Sequence, residues 1–157
     1  MPTAIDSKKA EKFASSSLLG ANLDEVRFSG SYVLMRFISE KYAADRNVYV
    51  DIEFYGLSDI AKKADQPERF DLSRSLFLSS VYKLIGSNVE RVYLSEVGDL
   101  NIEIAQSLVT LRAAGESVDV DDFYWSLRIE AFDHAPADVY MSLTCVLTEY
   151  GVAYFAK

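Results

Sequence analysis

The stretch Leu18-Leu-Gly-Ala-Asn-Leu-Asp-Glu-Val26 returns without a gap as Leu84-Ile-Gly-Ser-Asn-Val-Glu-Arg-Val92, 66 residues further on. Gly20 and Gly86, Asn22 and Asn88, and Val26 and Val92 are identical, and most of the remaining pairs keep their type. Each copy follows a segment with helical apolar spacing. A glycine just past such a segment takes the left-handed conformation that ends a helix. The asparagine that follows can bond nearby backbone through its short side chain. The chain then starts a strand whose first inward residue is the valine. Self-similarity at a fixed offset is the mark of an internal repeat. Helix-to-strand junctions favour Gly and Asn in any case, so Gly20, Asn22, Gly86 and Asn88 are structural on either ground and carry no chemistry.

Working outward, the first helix is expected from Ser7 to Leu19. Asp6 or Ser7 would cap it, and Ala10, Phe13, Ala14 and Leu18 fall on one face. Serines 15–17 weaken its last turns. Leu23 to Ser29 alternates, and Ser29-Gly30-Ser31 reads as a tight turn. Tyr32 to Ser39 is apolar on both faces, so it should be central or covered. Asn47 to Tyr55 places Val48, Val50, Ile52 and Phe54 on one face, with Tyr49, Asp51, Glu53 and Tyr55 on the other. Gly56 to Phe70 is a charged connection containing Pro67, with a short helical turn expected around Ser58 to Ala64.

The second helix should start at Asp71 and end at Gly86, with a stripe of Phe77, Val81, Leu84 and Ile85. Glu90 to Ser95 and Asp99 to Ala105 form a hairpin across Glu96-Val-Gly-Asp99. Leu108 to Arg112 is a short strand. Phe123 to Phe132 is a long one, with Trp125, Leu127, Ile129 and Ala131 on one face. Val139 to Thr148 and Val152 to Phe155 close the chain as a hairpin. The expected fold class is α+β: mainly antiparallel β-sheet with two helices. It would be built from related halves at about 7–56 and 71–132, plus a hairpin over 138–156, in a single domain over 1–157.

Composition restricts what such a domain does. Half of the 157 residues are apolar, which is ample for a core and contrary to disorder. Lys and Arg number 16 against 24 Asp and Glu, a net charge of −8. Phosphate recognition needs a basic stripe, and the densest basic spots are only Lys8-Lys9 and Lys62-Lys63. Nucleic acid and anionic membrane are therefore not expected partners. No apolar run approaches a membrane span. The single cysteine, Cys145, allows no internal disulfide, and Met1-Pro-Thr-Ala-Ile-Asp6 has no signal-peptide pattern, so a cytoplasmic location is expected.

Catalytic chemistry is sparse. His134 is the only histidine, in a turn beside Pro136 with Asp133 and Asp138 nearby. Cys145 sits in an apolar run where a thiol is a small core residue. Neither suits a typical zinc site or a thiolate nucleophile in so acidic a chain. No phosphate-binding or nucleophile-elbow motif occurs, and no cofactor, metal or catalytic residue is expected. The densest acidic stretch is Glu116, Asp119, Asp121 and Asp122, followed by Phe123-Tyr124-Trp125, and its spacing is wrong for a calcium loop. Solvated turns look like this. So do interfaces, where carboxylates rim aromatic anchors. Tyr49, Asp51, Glu53 and Tyr55 make a similar face.

In size, acidity, the Gly-x-Asn start of its strands and the close on Trp125-Ser-Leu-Arg-Ile129, the chain resembles the small acidic immunity proteins that neutralise bacterial toxins. Those paired with contact-dependent growth-inhibition toxins are among them. The resemblance implies a tight one-to-one complex with a basic, nuclease-like toxin domain, in which carboxylates occupy sites meant for phosphates. It transfers no individual residues. Two other classes compete. An acidic secretion chaperone or adaptor would usually end in a helix, whereas this chain ends in strands. A small enzyme would have to work with carboxylates alone. The apolar content also permits self-association.

Overall fold

The computed structural model describes residues 3–29, 32–39, 48–54, 58–59, 77–113, 123–131, 141–148 and 151–157. The first strand, β1 (Thr3–Ile5), precedes helix α1 (Ser7–Leu18). A second helical segment, α2, spans residues 77–82; the expected start at Asp71 lies outside the described residues. The other strands are β2 (Asn22–Ser29), β3 (Tyr32–Ser39), β4 (Val48–Phe54), β5 (Ser58–Asp59), β6 (Val89–Leu94), β7 (Leu100–Ile104), β8 (Ser107–Leu111), β9 (Phe123–Ala131), β10 (Met141–Thr148) and β11 (Gly151–Ala156). They form a seven-stranded sheet in the order β1-β11-β10-β9-β4-β3-β2 and a four-stranded sheet in the order β5-β8-β7-β6. Every pairing is antiparallel. The fold is α+β, and its strands divide into two sheets.

Local chemistry explains the elements. Asp6 caps α1 by accepting a hydrogen bond from the Lys9 amide at 2.8 Å. Ser16 and Ser17 donate to the Phe13 carbonyl at 3.1 and 2.7 Å, the back-bonding that makes serine a poor helix interior. The inward faces then follow the alternation. Val33, Met35 and Phe37 on β3, Val50 and Ile52 on β4, and Trp125, Leu127 and Ile129 on β9 are buried. They join Leu100, Ile102 and Ile104 of β7 and Val109 and Leu111 of β8 in one core, with Ala10, Ala14 and Leu18 of α1. Helix α2 contributes Phe77, whose ring meets that of Phe54 edge-on at 5.2 Å between centroids.

Three details differ from the sequence expectation. β1 was not foreseen: three residues give no alternation to detect, and they are strand because β11 offers them an edge. Ser58 and Asp59 are strand rather than helical, paired with Leu111 and Thr110 of β8. Ala105 and Gln106 both have positive φ, 49° and 65°, as the two centre residues of the β7–β8 hairpin. Such tight turns normally take Asn-Gly, so the sequence held no sign of this one.

The two Gly-x-Asn junctions lie against each other. Gly20 donates to the Val89 carbonyl at 2.9 Å, and Gly86 donates to the Leu23 carbonyl at 2.7 Å. Leu23 donates to Ser87 at 3.0 Å, and Val89 donates to Ala21 at 2.8 Å. Each bond maps onto its mate under the 66-residue offset, around an antiparallel bridge between Asn22 and Asn88. The helix ends obey the same offset, with Ala21 donating to Leu18 and Ser87 to Leu84. The register shift between Leu23 and Glu25 in β2 likewise has its counterpart between Val89 and Arg91 in β6. Both glycines are left-handed, at φ +78° and +89°. The Asn22 side chain bonds the distant Gly86 carbonyl at 2.8 Å and Asn88 Oδ1 at 3.0 Å, rather than its own turn. Under the same offset β2 and β3 correspond to β6 and β7, whereas the positions equivalent to β4, 114–120, lie outside the described residues. The Ile129-Glu130-Ala131 stretch ends β9, which pairs directly with β4.

Candidate functional site

The face of the seven-stranded sheet opposite the core carries charged side chains among apolar and hydroxyl ones, and its register sets the charges in rows. Glu25, Arg36, Asp51, Arg128 and Ser142 lie directly opposite one another across β2, β3, β4, β9 and β10. Arg27, Leu34, Glu53, Ser126 and Thr144 form the next row. Alternation on each strand points these side chains away from the core.

Arg36 meets Asp51 in a bidentate pair, Nε to Oδ1 at 2.8 Å and Nη2 to Oδ2 at 2.7 Å. Asp51 is 2% exposed, so this pair is desolvated on its acidic side. The same guanidinium lies over the Tyr49 ring at 4.7 Å. Arg128 Nη2 pairs diagonally with Glu53 Oε1. Arg27 grips Glu25 within its own strand, at 2.9 and 3.0 Å. Removing one partner of a buried pair leaves the other charge unpaired, at a cost of about 3–5 kcal/mol, whereas the exposed Arg27–Glu25 pair is worth at most about 1 kcal/mol.

These pairs change how the face reads. Tyr49, Asp51 and Glu53 stand on β4 as the alternation required. Asp51 and Glu53 are each paired with an arginine on a neighbouring strand, so the face carries both signs of charge. From the sequence alone the arginines were invisible as partners: Arg36 lies 15 residues from Asp51 and Arg128 lies 75 from Glu53. Tyr55, Glu116, Asp119, Asp121 and Asp122 lie outside the described residues. Tyr124 belongs to β9, with its side chain likewise undescribed. His134, Asp133 and Asp138 also fall outside.

The second polar cluster sits where the sheets meet. Trp125 Nε1 donates to the Gly98 carbonyl at 3.0 Å, reaching from β9 to the β6–β7 turn. Asp99 Oδ1 accepts from the Ala113 amide at 2.8 Å. Cys145 is fully buried beside them. Burial first, and the Asp99 carboxylate second, push its thiol up to about 12. Burial chiefly, then Cys145 and Asp99, push the Tyr154 hydroxyl up to about 12 as well. A thiol buried and held protonated in this way is a poor nucleophile at neutral pH. This cluster is a structural seam.

Among the described residues, no three His, Cys, Asp or Glu side chains group as metal ligands would. No described helix is long and apolar enough to cross a membrane. No family model, curated protein or solved structure matches this chain. The functional reading therefore rests on charge and geometry.

Proposed function

We propose that this protein is an inhibitor that binds another protein: an immunity protein that neutralises a basic, nuclease-like toxin domain by forming a tight complex in the bacterial cytoplasm. The observation that carries the reading is the distribution of charge. The chain has a net charge of −8. Arg27, Arg36, Arg91 and Arg128 are each engaged with a carboxylate of the same fold. These four cations are matched one for one by carboxylates, and the chain's surplus of carboxylates sets the sign of the external field. An acidic field steers a basic partner and repels nucleic acid. Glu116, Asp119, Asp121 and Asp122, beside Tyr124, are the proposed contact residues, because the Asp51 and Glu53 charges are already spent inside the sheet.

The test is co-purification and calorimetry with the basic domain of a toxin encoded beside this protein. A one-to-one complex that weakens with salt is expected, and changing Asp121 and Asp122 together to Lys should slow its association. No binding at any salt below physiological strength would overturn the reading. Turnover of a small substrate by the free protein would replace it with a carboxylate enzyme.

A further inference from the structure

β6 ends the four-stranded sheet among the described residues. Residues along an antiparallel strand alternate between bonding the neighbouring strand and facing away from it. Ser95, just past β6, donates back across the hairpin to the Asp99 carbonyl at 3.0 Å. Leu94 therefore faces away from β7, and its N–H donates to Glu11 Oε2 of α1 at 2.9 Å. At the other end of β6, Val89 donates to the Ala21 carbonyl at 2.8 Å and accepts from the Gly20 amide at 2.9 Å.

These two anchors lay the helix along the strand edge. From Glu11 to its end at Leu18 the helix rises about 10 Å, and the two residues to Gly20 bring it close to the span of about 16 Å that β6 covers from Leu94 back to Val89. Helix α1 thus takes the place a fifth strand would occupy, running antiparallel to β6. A helix spends its interior backbone groups on itself, so its side chains must meet an edge amide. Ala10, Ala14 and Leu18 are buried, and Glu11 is half-buried at the margin of that face. An edge with unmet N–H and C=O groups is a template for another chain, and proteins close such edges with a covering helix or an inward-pointing charge. α1 brings both to β6.

We infer that Glu11 is an edge guard: its carboxylate, held at the hairpin end of β6, keeps a second copy of this chain from adding a strand to the four-stranded sheet. It acts in two ways. It occupies the outward N–H of Leu94. It also sets a negative charge where an incoming strand would have to bring a carbonyl oxygen. Without it, the Leu94 N–H faces outward with no acceptor from Glu11, and a backbone carbonyl of a second copy takes that place. None of the proposed toxin contacts takes part, so the guard stands or falls apart from the inhibitor reading.

Hydrogen exchange at the Leu94 amide, at micromolar concentration, and sedimentation equilibrium of the full chain test it. Glu11→Ala loses a hydrogen bond to a charged acceptor and should lower protection of that amide about ten- to a hundred-fold. It should also self-associate more strongly with concentration than the wild type. Glu11→Asp, its carboxylate one methylene short of Leu94, should do the same at unchanged net charge. Glu11→Gln keeps an acceptor oxygen at the same reach and should stay close to the wild type in both measurements. Circular dichroism verifies that each variant folds. Unchanged protection of Leu94 in Glu11→Ala overturns the inference. So do folded alanine and aspartate variants that associate no more than the wild type, or a glutamine variant that associates as strongly as the alanine one.

Discussion

Gly86 and Gly98 offer a controlled experiment on what holds the two sheets together. Their backbones are nearly the same, at φ +89° and +91°. Their surroundings differ. A Cβ on Gly86 would meet nothing within 4 Å, whereas one on Gly98 would stand 2.6 Å from Val152 Cγ1 and 3.2 Å from both Ala113 Cβ and the Tyr154 hydroxyl. Alanine at positive φ costs about 1–2 kcal/mol, and the lost freedom of the unfolded chain returns part of that, about 0.4–1 kcal/mol, at either site. Gly86→Ala should therefore lose about 1 kcal/mol. Gly98→Ala bears the same backbone cost plus overpacking of about 1–3 kcal/mol, and shifting its carbonyl disturbs the bond from Trp125. A total of about 2–4 kcal/mol is expected. Urea unfolding followed by the emission of Trp125, the only tryptophan, measures both variants. Val152→Ala in the Gly98→Ala background should recover about 1 kcal/mol, because it removes the closest clash. Equal losses at the two glycines, within about 0.5 kcal/mol, would refute the claim that the turn is wedged into the seam.

Asn22→Ala removes two side-chain hydrogen bonds and Asn88→Ala removes one of them. At about 0.5–1.5 kcal/mol each, the single changes should cost about 2 and 1 kcal/mol, and the double change less than their sum in denaturant titration. Replacing Ala105-Gln106 by Asn-Gly relieves two positive-φ residues and should raise stability by about 1 kcal/mol or more, read as a higher melting temperature. Cys145 should resist thiol reagents in the folded state and react on unfolding. Its folded pKa, about 12, lies above the ordinary value of 9.0, so the unfolded chain loses its proton first. Stability should accordingly hold below pH 9 and fall between pH 9 and 12, with a shallower fall in Cys145→Ala.

Much of the fold was legible because its signals are local. The β3 strand, Tyr32 to Ser39, came straight from its apolar run, and β4 from its strict alternation. The left-handed glycines and the Asp6 cap followed from what those residues do at helix ends. What escaped depends on partners distant in sequence. β1 exists only because β11 lies beside it. The split into two sheets cannot be read from alternation, which says that a strand has an inner face and not which sheet it joins. The outer face of β4 looked acidic because sequence shows Asp51 and Glu53 two residues apart, and hides the arginines that register brings opposite.

The repeated junction also accounts for the division into sheets. Residues 20–23 and 86–89 pair antiparallel as if to begin one continuous sheet. Immediately afterwards each strand carries a register shift, at equivalent positions. A bulge bends its strand and increases local twist, so β2 and β6 diverge. Each then pairs with its own successor, β2 with β3 and β6 with β7, and the two meanders become separate sheets bridged at Asn22 and Asn88. Alternation does the rest. Val26, Met35 and Ile52 from one sheet and Val92, Ile102 and Val109 from the other enter a common core. The exposed faces are left to the charged residues. By fixing where the sheets part, the junction also sets β2 at the edge of the larger sheet among the described residues.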